Sequence, residues 1–215
     1  MNDREQRDEI LAAVKDLEEK GFNHGSSGNV SMRCGQVVLI TPTGCNSKTL
    51  APEDVVTLDA DGEVVGNGIP SSEWHMHTSI LRAYPEINAV IHTHADACVA
   101  LSCLGKPLPA FHYMVAAFGG SDVRCARYAT FGTAALAASA VEALEGRTAC
   151  LLANHGMIAV GKTLKAAFDT TIKLETLARQ YLLALQGGEP VLLDEDEMMR
   201  VRVRYTSYGR ARLPG

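Results

Sequence analysis

Apolar residues recur at two different spacings along the first third of the chain, and the change of spacing marks a change of secondary structure. Within residues 3–20 they fall on one helical face, with Gly21 as a C-terminal cap: Ile10, Leu11, Val14 and Leu17. A turn rich in Gly, Ser and Asn then leads into a short strand in GNVSMR. Further strands are predicted at residues 36–40, 55–58 and 63–65, with hairpin turns at residues 34–35 and 61–62. The first third is therefore predicted to be a helix followed by an antiparallel meander.

The remaining two thirds alternate between helical and strand-like patterns. Ser71 and Ser72 are suited to cap a helix that carries Glu73 in its first turn and stops before Pro85. Later helices are predicted at residues 96–104, 133–144, 163–185 and 195–204, and strands at residues 89–91, 149–153 and 157–160. We found no repeat and no long linker, which predicts one domain over residues 1–215. Its predicted class is α/β, with a central, mostly antiparallel β-sheet flanked by helices.

The composition narrows the range of functions. The 215 residues are 47% hydrophobic and carry a formal charge of −5, which argues against non-specific binding of nucleic acid. The charged start of the chain lacks an apolar signal core, and no apolar run reaches the roughly 18 residues of a membrane helix. The six cysteines show no CxxC pair, so we expect reduced thiols. A cytoplasmic protein without membrane contact is predicted.

Three histidines stand at the ends of predicted strands. His92 and His94 follow the apolar run AVI, and residues two apart in an extended chain point to the same side. His155 lies in Asn154-His155-Gly156 between two apolar strands, where Gly156 permits an unusual backbone angle. Three imidazoles with a nearby carboxylate, such as Glu73, are typical of a catalytic zinc site. The alternative for each histidine alone is a surface or hydrogen-bonded residue.

Several motifs together resemble a known family. In order they are SGNVS, ITPTG, PSSEWHMH, AVIHTHA, FHYM, YATFGT and ANHGMIAVG. Their order and spacing, from residue 21 to about residue 208, are similar to the class II (zinc-dependent) sugar-phosphate aldolases and ribulose-5-phosphate 4-epimerases, and nearest to the L-fuculose-1-phosphate aldolase type. The resemblance implies a fold shared with the adducin head and a site for Zn2+, or another divalent metal such as Mn2+ or Co2+. It also implies that the ligands are Glu73, His92, His94 and His155, in a homotetramer with active sites at subunit interfaces.

The resemblance also implies catalytic roles. A retro-aldol cleavage passes through an enediolate, whose charge a divalent ion stabilises as a Lewis acid. Glu73, at the family's SSE glutamate, would carry the proton to or from carbon. Tyr113 in FHYM matches a tyrosine that the adjacent subunit contributes to take the hydroxyl proton. The alternative for Tyr113 is an aromatic anchor in a subunit contact.

Small-residue loops suggest where a substrate phosphate would bind. Hydroxyls and backbone N–H groups in such loops, helped by a helix dipole, form an anion site without a lysine. The candidates are Ser26, Asn29, Thr43, Gly44, Ser71 and Ser72. Each alone is as consistent with an ordinary turn or cap, and the nearby metal motif favours the phosphate. Phe131 and Tyr208 are candidates for the aldehyde pocket, whereas His75 and His77 are expected to have structural or supporting roles.

The leading hypothesis is reversible cleavage of a ketose 1-phosphate into dihydroxyacetone phosphate and an aldehyde. L-fuculose 1-phosphate, 5-deoxyribulose 1-phosphate and 5-methylthioribulose 1-phosphate share the recognised groups, and the last would imply methionine salvage. The alternatives are a pentulose-phosphate 4-epimerase, although that group carries Asp where this chain has Glu73, and methylthioribulose-1-phosphate dehydratase. A non-catalytic domain like the adducin head would predict a degraded metal set, whereas all four ligands are present.

Overall fold

The structure is a computed structural model that describes residues 3–205. Its helices are α1 (Asp3–Glu19), α2 (Trp74–Ala83), α3 (Asp96–Ser102), α4 (Ala134–Leu144), α5 (Leu164–Gly187) and α6 (Glu195–Tyr205). Its strands are β1 (Asn29–Cys34), β2 (Val37–Ile40), β3 (Val56–Leu58), β4 (Ala89–Thr93), β5 (Cys125–Ala126), β6 (Ala149–Leu152) and β7 (Gly156–Gly161). Two 3-10 turns cover Pro52–Asp54 and Tyr113–Phe118. The predicted helices are confirmed, with ends that shift by one or two residues.

The seven strands form one sheet in the order β3-β2-β1-β4-β7-β6-β5. Every pairing is antiparallel except that of β5 with β6. This confirms the predicted α/β class with a mostly antiparallel sheet. The register places His92 opposite Asn29 of β1 on one side and opposite Ile158 of β7 on the other. Strand β4 therefore carries the metal-ligand candidate into the middle of the sheet.

Helices cover both faces of the sheet, because the central strands are apolar on both sides. On one face, Ile80 of α2 and Ala140 of α4 pack against Val90 of β4. On the other face, Leu17 of α1 packs with Ile91, also of β4. All five residues of β4 are buried, as expected of a strand between two helical layers. The site thus lies at the end of a strand that is buried along its whole length.

Four details of the local predictions are wrong. Residues 63–65 form no strand: they make one isolated bridge, Leu58 to Val64, and Val64 and Val65 are exposed. Helix α2 begins at Trp74, so Glu73 occupies the N-cap position instead of the first turn. Ser71 does not cap the helix; its Oγ accepts a hydrogen bond from the N–H of Glu73 at 3.3 Å. Helix α3 ends at Ser102, two residues earlier than predicted.

Among residues 3–205, no helix is long and apolar enough to cross a membrane. The prediction of one domain over residues 1–215 stays a prediction, since the chain ends lie outside the described part.

Candidate metal centre and substrate cleft

The three predicted imidazoles meet at one end of the sheet. His92 is the fourth residue of β4, His94 lies one residue beyond the strand, and His155 lies in the turn between β6 and β7. The ring centroids are 4.8–4.9 Å apart in all three pairs. Their ligand nitrogens all lie within 4.8 Å of one another, and the Nε2 atoms of His92 and His94 are 3.0 Å apart. The predicted convergence of the histidines is therefore present in the fold.

The turn at His155 depends on its two neighbours in different ways. Asn154 adopts the left-handed conformation with φ of 54°, which an Asn side chain tolerates better than most. The expectation that Gly156 supplies the unusual angle is wrong. Gly156 is needed for space, because a Cβ there would lie 2.5 Å from the carbonyl oxygen of Thr93 and 3.2 Å from Cδ2 of His94. The absence of this Cβ lets β7 approach the end of β4 and brings His155 to the other two rings.

Glu73 supplies a buried carboxylate at the edge of this cluster. Its side chain is 7% exposed, and Oε2 lies 3.1 Å from Nε2 of His92. Oε1 lies 3.5 Å from Nε2 of His155 and makes no hydrogen bond within the described residues. Burial alone would raise the pKa of Glu73, but His92, the hydrogen bond from Asn29 and His155 together hold it below its usual range. The carboxylate is therefore ionised at neutral pH, and among residues 3–205 one of its buried oxygens has no hydrogen-bond partner.

The imidazoles are prepared to act as ligands. Nδ1 of His92 lies 2.9 Å from the carbonyl oxygen of Met157, which can only accept, so Nδ1 carries a proton and Nε2 is the nitrogen turned toward the cluster. Burial, with the neighbouring histidines, lowers the pKa of His94 and of His155 to about 4. Neutral nitrogens and one unpartnered carboxylate oxygen form a donor set that suits zinc better than the oxygen-seeking Mg2+ or Ca2+. The residues present thus fit a divalent metal of the predicted kind.

A cleft of about 360 Å³ opens above this cluster. Its lining includes all six residues predicted for the phosphate: Ser26, Asn29, Thr43, Gly44, Ser71 and Ser72. It also includes Phe131, the candidate for the aldehyde pocket, beside Glu73, His94 and His155; the role of Phe131 stays a prediction. The lining residues that the sequence reasoning missed flank the predicted ones in the chain: Ser27, Gly28, Pro42, Tyr128, Ala129 and Asn154. These residues could have been predicted from the sequence, because each lies next to or near a motif residue in the chain.

Tyr113 lies apart from this cleft. Tyr113 begins the 3-10 turn Tyr113–Phe118, is 51% exposed and stacks on His112 at a centroid distance of 4.7 Å. It is absent from the described lining of the cleft. The prediction for Tyr208 falls outside the described residues.

A buried chain of hydrogen bonds runs from Glu73 through Asn29 and His77 to Ser31. Nδ2 of Asn29 donates to Oε2 of Glu73 at 3.1 Å, and Oδ1 of Asn29 lies 2.5 Å from Nε2 of His77. Nδ1 of His77 in turn lies 2.7 Å from Oγ of Ser31. Burial lowers the pKa of His77 to about 3, so its ring is neutral. His75, by contrast, is exposed and stacks on Trp74.

Helix α5 holds the segment that follows His94. The N–H groups of Ala97 and Cys98, in the first turn of α3, donate to Oε1 and Oε2 of Glu175, both at 2.9 Å. A carboxylate at a helix N-terminus stabilises the unpaired N–H groups and the dipole. Because α3 begins two residues after His94, this contact ties the ligand segment to the long helix.

These features define a class of protein: an α/β protein with an open site of three imidazoles and one carboxylate, which is the arrangement of a catalytic metal centre. Residues 8–182 match the family model described as Class II Aldolase and Adducin N-terminal domain. The chain belongs to this family.

Relatives with known names agree with the family. A 5-methylthioribulose-1-phosphate/5-deoxyribulose-1-phosphate aldolase of Rhodospirillum rubrum is 50% identical over 206 residues, which cover 95% of this chain and 93% of that protein. A 5-deoxy-D-ribulose 1-phosphate aldolase of Bacillus thuringiensis is 42% identical, with 96% and 98% covered. A solved structure of L-fuculose 1-phosphate aldolase matches with a TM-score of 0.89 at 41% identity and covers 93% of this chain and 95% of its own. The predicted class II aldolase function, a lyase activity, is confirmed.

Proposed function

We propose that the protein reversibly cleaves a ketose 1-phosphate into dihydroxyacetone phosphate and an aldehyde. The observation that carries the proposal is the cleft itself, in which the imidazole and carboxylate cluster lies next to three small-residue loops. The first candidate substrates are 5-methylthioribulose 1-phosphate and 5-deoxyribulose 1-phosphate, because the relatives named for them are 50% and 42% identical. L-fuculose 1-phosphate is the next candidate. Use of the methylthio sugar would give the protein a role in methionine salvage.

The phosphate would bind to hydroxyl groups of the loops. The backbone N–H groups of Thr43 and Ser71 are engaged, with the carbonyl oxygens of Ile69 and Thr41, both at 3.0 Å. Their hydroxyls, with those of Ser26 and Ser72, are therefore the groups we assign to the phosphate. Helix α2 begins at Trp74, directly after this loop, and its N-terminal dipole favours an anion there. Asn29 and Gly44 complete the proposed set.

Glu73, His92, His94 and His155 would hold a divalent metal, with zinc first and Mn2+ or Co2+ as alternatives. When bound, the metal would act as a Lewis acid toward the substrate's adjacent carbonyl and hydroxyl oxygens, where negative charge develops. Glu73 would move the proton to and from carbon. Its Oε1, which has no hydrogen-bond partner in the described structure, is the atom we assign to both roles: it would hold the metal and would leave that coordination to carry the proton.

Tyr113 would act from a neighbouring subunit. Its ring is half exposed and lies outside the cleft of its own chain, which suits a residue that completes another copy's site. There its hydroxyl would take the proton from the substrate hydroxyl whose carbon becomes the aldehyde. This arrangement requires an oligomer with sites at subunit interfaces, and we propose the homotetramer. A cytoplasmic location, where sugar phosphates are handled, is part of the same proposal.

A panel of the three ketose 1-phosphates tests the proposal. Purified protein should release dihydroxyacetone phosphate from at least one of them, and a chelator should abolish the release until metal is restored. Absence of release from all three, with metal shown to be bound, would refute the aldolase proposal. Conversion of a substrate without dihydroxyacetone phosphate would instead favour the 4-epimerase or the dehydratase.

A further inference from the structure

We infer that His77 is a positioning residue that holds the Asn29 side chain with its NH2 group toward Glu73, so that one carboxylate oxygen of Glu73 stays free to move protons. The inference rests on the proposed role of Glu73. It concerns a residue that neither lines the cleft nor belongs to the imidazole cluster and that is fully buried behind Asn29. The four members of the chain, Ser31, His77, Asn29 and Glu73, are at most 7% exposed.

The hydrogen-bond partners give this chain one direction. A neutral imidazole has one donor nitrogen and one acceptor nitrogen. If Nε2 carries the proton, it donates to Oδ1 of Asn29, and Nδ1 accepts from the hydroxyl of Ser31. The Asn29 NH2 group is then left to donate to Oε2 of Glu73. Every group has the partner that its chemistry requires.

The opposite direction leaves two groups badly placed. If Nδ1 carried the proton, it would donate to Ser31, and the fully buried Ser31 hydroxyl has no other acceptor among residues 3–205. Nε2 would then need a donor, which would turn the Asn29 amide around and point its oxygen at the Glu73 carboxylate. An unpaired buried donor costs about 1–3 kcal/mol. The Ser31 hydroxyl thus selects the tautomer of His77, and the tautomer selects the orientation of Asn29.

The consequence falls on Glu73. With Oε2 held by Asn29 and lying beside His92, the second oxygen is the one without a hydrogen bond. A carboxylate free to rotate would exchange its two oxygens, and neither would have a defined place for proton transfer. The donor-to-acceptor direction of the buried hydrogen bonds therefore affects the site through the orientation of the Asn29 amide, which holds one oxygen of Glu73.

Neutron diffraction from crystals of the perdeuterated, metal-loaded protein tests the direction without any activity measurement. We expect deuterium on Nε2 of His77, on Oγ of Ser31 toward His77, and on Asn29 Nδ2 toward Glu73. Deuterium on Nδ1 of His77 alone would overturn the inference. This result does not depend on the substrate, so failure of the proposed function would appear separately, as absence of cleavage by the unaltered protein.

The kinetics of two His77 variants test whether this residue, through Asn29, positions Glu73 for proton transfer. His77→Leu removes both polar contacts and should lower kcat per bound metal ion by about 10- to 100-fold with little change in KM, because groups behind a site act through its ligands. His77→Gln keeps an NH2 group near the place of Nε2 and should recover most of the loss. His75→Leu, on the same helix but exposed, is the matched control and should keep normal rates.

Equal losses in His77→Leu and His77→Gln, with the fold intact, would overturn the inference, since a packing role does not distinguish the two. If His77→Leu fails to fold, Ser31→Ala takes its place. It removes the hydroxyl that selects the tautomer, and it should lower kcat while leaving KM near normal. An unchanged kcat in Ser31→Ala would also overturn the inference.

Discussion

Replacement of Gly156 by Ala should damage the metal centre without touching any ligand. A Cβ at this position would lie 2.5 Å from the carbonyl oxygen of Thr93, where 3.0 Å is the practical lower limit for such atoms. It would also lie 3.2 Å from Cδ2 of His94 and 3.4 Å from Cε1 of His92. The end of β4 and the start of β7 must therefore separate by roughly half an ångström, and both histidines are in the path of the movement.

The size of the effect follows from overpacking. Added methyl groups in a packed core cost about 1–3 kcal/mol. At a urea m-value of about 2 kcal/mol/M, the midpoint of unfolding should fall by about 1 M. A displacement near 1 Å at a catalytic site can cost about 100-fold in rate, so half that displacement should lower kcat by about tenfold. Zinc affinity should also fall by about tenfold or more, since the geometry of the ligands is altered.

Urea unfolding at fixed protein concentration, chelator competition for zinc and steady-state cleavage measure the three quantities. Gly187→Ala is the control, because its added Cβ at the end of α5 would have no atom within 4 Å. It should be neutral or slightly stabilising, as Ala replaces Gly in a helix. If Gly156→Ala kept the midpoint, zinc affinity and kcat of the unaltered protein, the close approach of β7 to β4 would not matter to the site.

Three further outcomes are expected. Glu73→Gln should keep the fold and much of the metal while losing turnover by about 100-fold or more, and an unchanged rate would remove Glu73 from catalysis. Tyr113→Phe should slow cleavage but spare proton exchange at the dihydroxyacetone phosphate carbon; equal losses in both assays would leave Tyr113 an interface anchor only. The pKa of His94 and of His155 is lowered from 6.5 to about 4, so between these values the unfolded chain binds more protons than the folded one. The urea midpoint of the chelator-treated protein should therefore fall as the pH is lowered from about 6.5 to about 4, and a midpoint that does not vary with pH would contradict these pKa values.

The parts of the fold that sequence reasoning found are those with a local signal. The helix around Leu17 and the one around Ile80 show a 3.6-residue apolar period, and both are present. The histidines of the cluster were found because two of them stand at i and i+2 after a buried strand and the third lies between two strands. Such patterns show which side chains of one helix or strand are buried and to which side they point. For the three histidines this information was enough to predict a metal site.

The parts that were missed depend on contacts between distant elements. Strand β1 lies beside β4, not at the far side of the meander, and this pairing places Asn29 opposite His92. Ser31 and His77 then meet across 46 positions of sequence. In the sequence, Ser31 is one polar residue in a strand and His77 one histidine on a helix. The sequence around each residue does not show whether its side chain orients another side chain by hydrogen bonds or only packs in the core.

The role of Gly156 was predicted wrongly for a related reason. A glycine next to a histidine in a tight turn suggests backbone freedom, but the left-handed residue is Asn154. The demand on Gly156 comes from Thr93, on another strand, which no local rule detects. A glycine can therefore be required by conformation or by a neighbour, and only the packed structure separates the two.

The charges of the site themselves argue for a cation. Ligand imidazoles are neutral, so the cluster carries the single negative charge of Glu73. An isolated buried carboxylate is strongly disfavoured unless a cation or hydrogen bonds compensate it. Asn29 compensates one oxygen, whereas Oε1 has no hydrogen-bond partner within residues 3–205. A divalent ion would change the site from a net charge of −1 to +1, and this reversal of sign would favour entry of the proposed anionic sugar phosphate into a protein of charge −5.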